Sequence, residues 1–117
     1  MKRTDERELA FKAIYAKFYE VEEDDETELS EYAEKILHEY INHTDELREL
    51  ISTRLKGYTI DRLYKIDLAI LMLAIVEINY IHTPKQVVIN EAVELAKKFS
   101  TEKSPKFING FLADLVK

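Results

Sequence analysis

Apolar residues recur at intervals of three and four along nearly the whole chain, with no sustained strand-like alternation, so the pattern predicts about six helices. The first runs from about Thr4 to Tyr19 and turns Leu9, Ala10, Ala13, Ile14 and Phe18 inward, ending at an acidic run. A second, from about Glu28 to Ile41, places Leu29, Ala33, Ile36, Leu37, Tyr40 and Ile41 on one face. Thr44 is placed to cap a third, which buries Leu47, Leu50, Ile51 and Leu55 before Gly57 offers a stop. The fourth, Asp61 to Ile78, is apolar nearly all round from Ile66 to Val76, the mark of a helix at the centre of a core. Thr83-Pro84-Lys85-Gln86 then has the form of a capping box with proline at the first helical position. The helix it opens turns Val88, Ala92, Leu95, Ala96 and Phe99 inward. Ser104-Pro105 repeats the signal for a last helix carrying Phe107, Ile108, Phe111, Leu112 and Leu115.

Composition supports this reading and narrows the rest. The 117 residues suffice for one domain that buries roughly 65% of its unfolded surface, and only two Gly and two Pro interrupt them. The absence of Cys removes disulfides, thiolate nucleophiles and Cys-based metal sites, and fits a reducing compartment. Ile66 to Ile81 is too short to cross a bilayer and contains Asp67 and Glu77, while Met1 to Arg7 lacks the apolar core of a signal peptide. The cytoplasm is therefore the expected location, with no role at a membrane.

A net charge of −6 argues against a polyanionic ligand until its distribution is considered. Residues 1–17 carry a balance of +2, residues 18–82 of −10 and residues 83–117 of +2, with seven of the acids lying between Glu20 and Glu28. The two ends would share a basic face if the fold brought them together. Enzymatic readings lack parts. No glycine-rich loop is present to cradle phosphate, and His38, His43 and His82 are not spaced to ligate zinc from one helix face, so neither cofactor nor metal is expected. Glu91 and Glu94, at i and i+3, could hold a cation but read more simply as a solvated face.

The first helix offers more. Arg3, Arg7, Phe11 and Tyr15 follow at intervals of four, a slowly turning stripe of two cations continued by two aromatics. Arginine pairs bidentately with phosphate and an aromatic face stacks on an unpaired base, although Phe11 and Tyr15 would serve equally as core or rim.

Two linked blocks near the C-terminus are more specific. Pro84-Lys85-Gln86-Val87-Val88-Ile89-Asn90-Glu91-Ala92-Val93-Glu94-Leu95-Ala96-Lys97-Lys98-Phe99, followed by Lys106-Phe107-Ile108-Asn109-Gly110-Phe111-Leu112, resembles the signature of the NusB transcription antitermination factors. Arg7 to Tyr15 and Ile66 to Glu77 agree more weakly, and residues 20–57 match only as generic helices. The resemblance implies an all-α bundle of about six or seven helices in two packed subdomains, about 1–57 and 58–117. It implies binding of single-stranded boxA RNA in nascent ribosomal transcripts, together with the ribosomal protein NusE, within an antitermination complex on RNA polymerase. By position the RNA-facing residues would be Lys2, Arg3, Arg7, Lys85, Lys103, Lys106, Phe107 and Asn109, with Tyr15 near the partner-binding edge. An aromatic, amide and lysine set suits unstacked RNA bases, and Gly110 would let a backbone approach closely. Asn90 and Glu91 read as structural, Asn90 as a buried polar group serving a helix end.

Departures from the family pattern carry expectations of their own. The N-terminal arginine run is depleted, Arg3 and Arg7 being interrupted by Asp5 and Glu6, so RNA affinity should depend on the partner. Leu68 and Met72 replace residues that are often basic; either they are more deeply buried or they contribute to a partner or homodimer surface. Two other functions compete. One is the RNA-recognition module of a ribosomal RNA cytosine methyltransferase, whose catalytic domain would have to follow Lys117; the other is a helical scaffold that binds only protein.

Overall fold

The structure, a computed structural model, describes residues 1–19 and 29–117. Among them are five α-helices and no strand: α1 (Arg3–Lys17), α2 (Glu31–Arg54), α3 (Lys65–Val76), α4 (Lys85–Phe99) and α5 (Ser104–Leu115). A 3-10 turn (Ile60–Arg62) precedes α3 and a π-helical turn (Glu77–Ile81) follows it. The all-helical class holds with fewer separate helices than expected, and the acidic run Glu20 to Glu28 lies outside the described residues.

The difference in number arises at residues 41–44. α2 runs through both predicted helices but kinks at His43, whose φ of −127° and ψ of 19° leave the helical region. Thr44 does not cap a new helix: its hydroxyl donates to the Tyr40 carbonyl at 2.7 Å, a bond to the preceding turn that bends a helix without ending it. Ile41, expected inside, stands 54% exposed on the outer side of that kink. Gly57 does mark the end of the segment, at a φ of +83° that glycine adopts without strain.

α3 is the central element, as its all-round apolarity predicts. Every residue from Asp67 to Val76 is buried, with α1 and α2 packed on one part of its circumference and α4 and α5 on another. One hydrophobic cluster contains residues of all five helices, from Ala10 and Ile14 through Ile36, Ile51 and Ile70 to Leu112. Leu68 and Met72 belong to it, 1% and 0% exposed. This corrects their reading as a partner or homodimer surface: of the two expectations, burial in the core is the one that holds.

Two polar devices fasten the bundle. Arg7 of α1 donates from Nε to both Glu77 carboxylate oxygens, at 2.8 and 2.9 Å, and the Tyr32 hydroxyl of α2 donates to the same carboxylate. Below α3, the Asp67 carboxylate accepts from Ser100 Oγ at 2.6 Å and Ser104 Oγ at 3.0 Å, which ties the α4–α5 connection to the core. Both explain the predicted caps that fail to form. Thr83 Oγ1 lies 3.3 Å from the Tyr32 hydroxyl, and Ser104 is the first residue of α5 rather than its cap. Hydroxyls that fit a cap were recruited by buried carboxylates, whose unmet acceptors are the costlier deficit.

Candidate nucleic-acid interface

The exposed cations predicted to face RNA fall into two groups. Lys2 and Arg3 sit at the start of α1 and Lys85 at the start of α4. These starts are neighbours, because Tyr32 touches both sides: the Arg3 guanidinium lies 3.9 Å above its ring, and its hydroxyl meets Thr83. Thr4 Oγ1 adds a bond of 3.0 Å to Glu91 of α4. Arg3 is partly engaged already, with Nη1 3.3 Å from Glu6.

Lys103, Lys106, Phe107 and Asn109 form the second group, on the first turns of α5. Lys103, Lys106 and Asn109 are exposed, and Phe107 is half-buried with its ring centroid 6.1 Å from that of Phe111. The orientation of this turn follows from the Asp67 anchor: Ser104 is held from below, so the side chains on either side of it face outward. Between the two groups runs the outer face of α4. Glu94 and Lys97 line both the cleft toward α1, with Thr4 and Glu8, and the cleft toward α5, with Asn90, Lys106 and Asn109. Asn90, expected buried, is exposed there and accepts from Gln86 Nε2 at 3.0 Å. Gly110 is exposed, and a Cβ there would meet nothing within 4 Å, so no internal packing requires glycine.

Arg7 does not join the basic surface. It is 5% exposed, committed to Glu77 and 3.7 Å from Glu91, so its expected contact with RNA phosphate is corrected to an internal ion pair. Phe11 is likewise 3% exposed and packs on Phe99 with centroids 5.3 Å apart, which removes it as a stacking platform. The stripe rotates by about 40° at each four-residue step, because four residues exceed one turn of 3.6. That drift carries it from solvent at Arg3 into the core at Arg7 and Phe11, and back to the rim at Tyr15. Tyr15 is half-buried in an aromatic cluster with Phe18 and Tyr19, the Tyr19 ring 5.2 Å away and the two hydroxyls 3.4 Å apart.

The clefts are open and lined by mixed charge, and no group of three or more His, Asp or Glu able to hold a metal occurs among the described residues. Nor is any described helix long and apolar enough to cross a membrane. A surface of this kind can bind by charge, stacking and amide hydrogen bonds.

Comparison with known proteins decides the family. The NusB family model matches residues 4–117. The chain belongs to the NusB family. NusB-family proteins of this kind are transcription antitermination factors, not enzymes. The NusB transcription antitermination protein of Macrococcus caseolyticus is 37% identical over 100% of this chain and 98% of its own length. That of Thermoanaerobacter sp. is 40% identical, over 100% of this chain and 91% of its own. Among solved structures, NusB of T. maritima superposes with a TM-score of 0.88 at 29% identity, covering 98% of this chain and 90% of that one. A chain from a crystal structure of the antitermination factors NusB and NusE in complex with dsRNA gives 0.77 at 25% identity, over 98% and 97%.

The NusB resemblance read from the α4 and α5 blocks was therefore sound, but it missed residues that shape the site. Asp67 and Glu77 were noted only as charges within an apolar run. The available signal was their position: a charge on a helix apolar all round must find a buried partner. Tyr32, Tyr58 and Tyr64 carried no periodic signal that set them apart from other rim aromatics.

Proposed function

We propose that this protein binds boxA RNA of nascent ribosomal transcripts together with NusE, as part of the antitermination complex on RNA polymerase in the cytoplasm. The observation that carries this reading is whole-length likeness to a NusB that was crystallised with NusE and RNA. Exposed Lys103, Lys106 and Asn109 and half-buried Phe107 at one end of α5 supply what an unstacked strand requires: cations for phosphate, a ring for a base, an amide for a base edge. Lys2, Arg3 and Lys85 form the second contact for the backbone across α4, and Tyr15 lies on the edge that meets NusE.

The basic arm is weaker than the sequence implied, because Arg7 is withdrawn into the core. With Arg3 shared with Glu6, few counterions are released on binding, and the salt dependence for the isolated chain is shallow. The protein is thus one half of a composite RNA surface, with NusE completing it.

A mobility-shift assay with boxA RNA and a scrambled sequence of equal length, in the presence of NusE, tests the reading. Preference for boxA that is lost in Phe107→Ala and Lys106→Ala supports it. Equal binding of both RNAs, or of neither, refutes it and favours a scaffold that binds only protein.

A further inference from the structure

A groove adjoins the second basic group on the side of α5 away from α4, and its opposite wall, the connection between α2 and α3, belongs to neither the motif blocks nor the basic ends of the chain. Its upper hollow is bounded by Tyr58, Arg62, Tyr64, Lys103 and Phe107, with the buried Asp67 and its donor Ser104 also lining it. The lower hollow continues past Arg54, Lys56, Lys106 and Phe111. Tyr58 and Phe107 line both hollows, which makes the two a single track.

Three observations define what would occupy it. Tyr58 and Tyr64 are 41% and 64% exposed, large rings left on the surface by a fold that buries most of its apolar residues. Five cations border the track in a chain of net charge −6, and the one exposed carboxylate among them, Asp114, is already 3.8 Å from Arg54. The rings alternate with the cations: Lys56, Tyr58, Arg62 and Tyr64 lie within one connection between α2 and α3. A protein ligand would be met by an apolar centre with a charged rim, whereas interleaved rings and cations suit a strand with a phosphate at every nucleotide and a base between.

We infer that the α2–α3 connection is a second wall of the RNA site, which binds the unpaired nucleotides flanking boxA by stacking on Tyr58 and Tyr64, with Arg62, Lys56 and Arg54 on their phosphates. This rests on the RNA reading above and extends its footprint around Phe107. A duplex does not fit the role, because paired bases offer no free face to the tyrosines.

The test titrates the complex with NusE against two RNAs, boxA alone and boxA extended by about six unpaired nucleotides on each side, a length within the range of single-strand sites. The parent binds the extended RNA more tightly. Tyr58→Ala with Tyr64→Ala abolishes that gain, by at least about fivefold per stacked base, and leaves the shorter RNA unaffected. Arg62→Gln lowers the salt slope for the extended RNA by about 0.7. As a check that needs no variant, extended RNA carrying 4-thiouridine in its flanks photocrosslinks to the parent at Tyr58 or Tyr64. No gain from the flanks, a gain retained by the double variant, or crosslinks at neither tyrosine overturns the inference and leaves the boxA reading intact. Failure of the parent to bind boxA at all overturns both.

Discussion

Replacing Arg7 by methionine separates the two roles open to this residue, because the structure makes it part of the fold and the sequence pattern made it part of the RNA site. Its side chain is 6% exposed and that of Glu77 1%, so solvent screens neither charge appreciably. Removing the guanidinium leaves a carboxylate inside the bundle with only the Tyr32 and Thr83 hydroxyls beside it. Breaking a buried pair from one side costs about 3–5 kcal/mol, and the remaining hydroxyl donors place this case near 3. With a urea slope of about 2 kcal/mol/M for a protein of this size, the unfolding midpoint falls by about 1.5 M. The double variant Arg7→Met with Glu77→Leu removes the stranded charge and should lose less stability than Arg7→Met alone. The assay is equilibrium urea unfolding followed by far-ultraviolet circular dichroism, with RNA affinity measured where each variant is fully folded. A loss below about 1 kcal/mol, combined with weakened RNA binding and a shallower salt slope, would refute the assignment and return Arg7 to the RNA surface.

Other substitutions test other parts of the account. Asp67→Ala removes the carboxylate that accepts from Ser100 and Ser104, leaving them each other and Thr101 as partners, and should cost about 1–3 kcal/mol, with faster amide exchange confined first to the start of α5. Leu68→Ala should cost about 2–5 kcal/mol without altering the mass seen in sedimentation, since the residue is core; a change of oligomeric state at unchanged stability would contradict its placement. Burial, and then the hydrogen bond to Glu77, raise the Tyr32 pKa above 10.0. The folded state therefore holds the phenolic proton longer than the unfolded chain, and the associated stability is intact below pH 10 and falls as pH rises toward the folded value. Tyr32→Phe should flatten that alkaline decline in thermal melts. Gly110→Ala should raise stability by about 0.5–1 kcal/mol, as nothing in the fold occupies the space, and any accompanying loss of RNA affinity would locate a close backbone approach there.

What could be read along the chain and what could not divide on physical grounds. Local periodicity placed α1, α3, α4 and α5 well, because burying a stripe of apolar side chains is a property of consecutive residues. α2 was divided at residues 41–44, where local cap signals are real but a bend satisfies them as well as a break. The caps at Thr83 and Ser104 were misjudged because the competing acceptors, Glu77 and Asp67, lie on another helix. Arg7 shows the same limit most plainly: its carboxylate partner is 70 positions away, and only the docking of α1 on α3 determines which part of a drifting stripe faces inward. The site divides likewise. Lys103, Lys106, Phe107 and Asn109 follow one another within the first two turns of α5 and could be named from sequence, whereas the tyrosines opposite them come into place only once the α2–α3 connection folds back beside α5.

The most direct test of the composite surface is a fluorescence-anisotropy titration of boxA RNA with the isolated chain and with its complex with NusE, each at several salt concentrations. Weak binding and a shallow salt slope are expected for the chain alone, and tight binding with a steeper slope for the complex. Equal, tight affinity in the absence of NusE would contradict it.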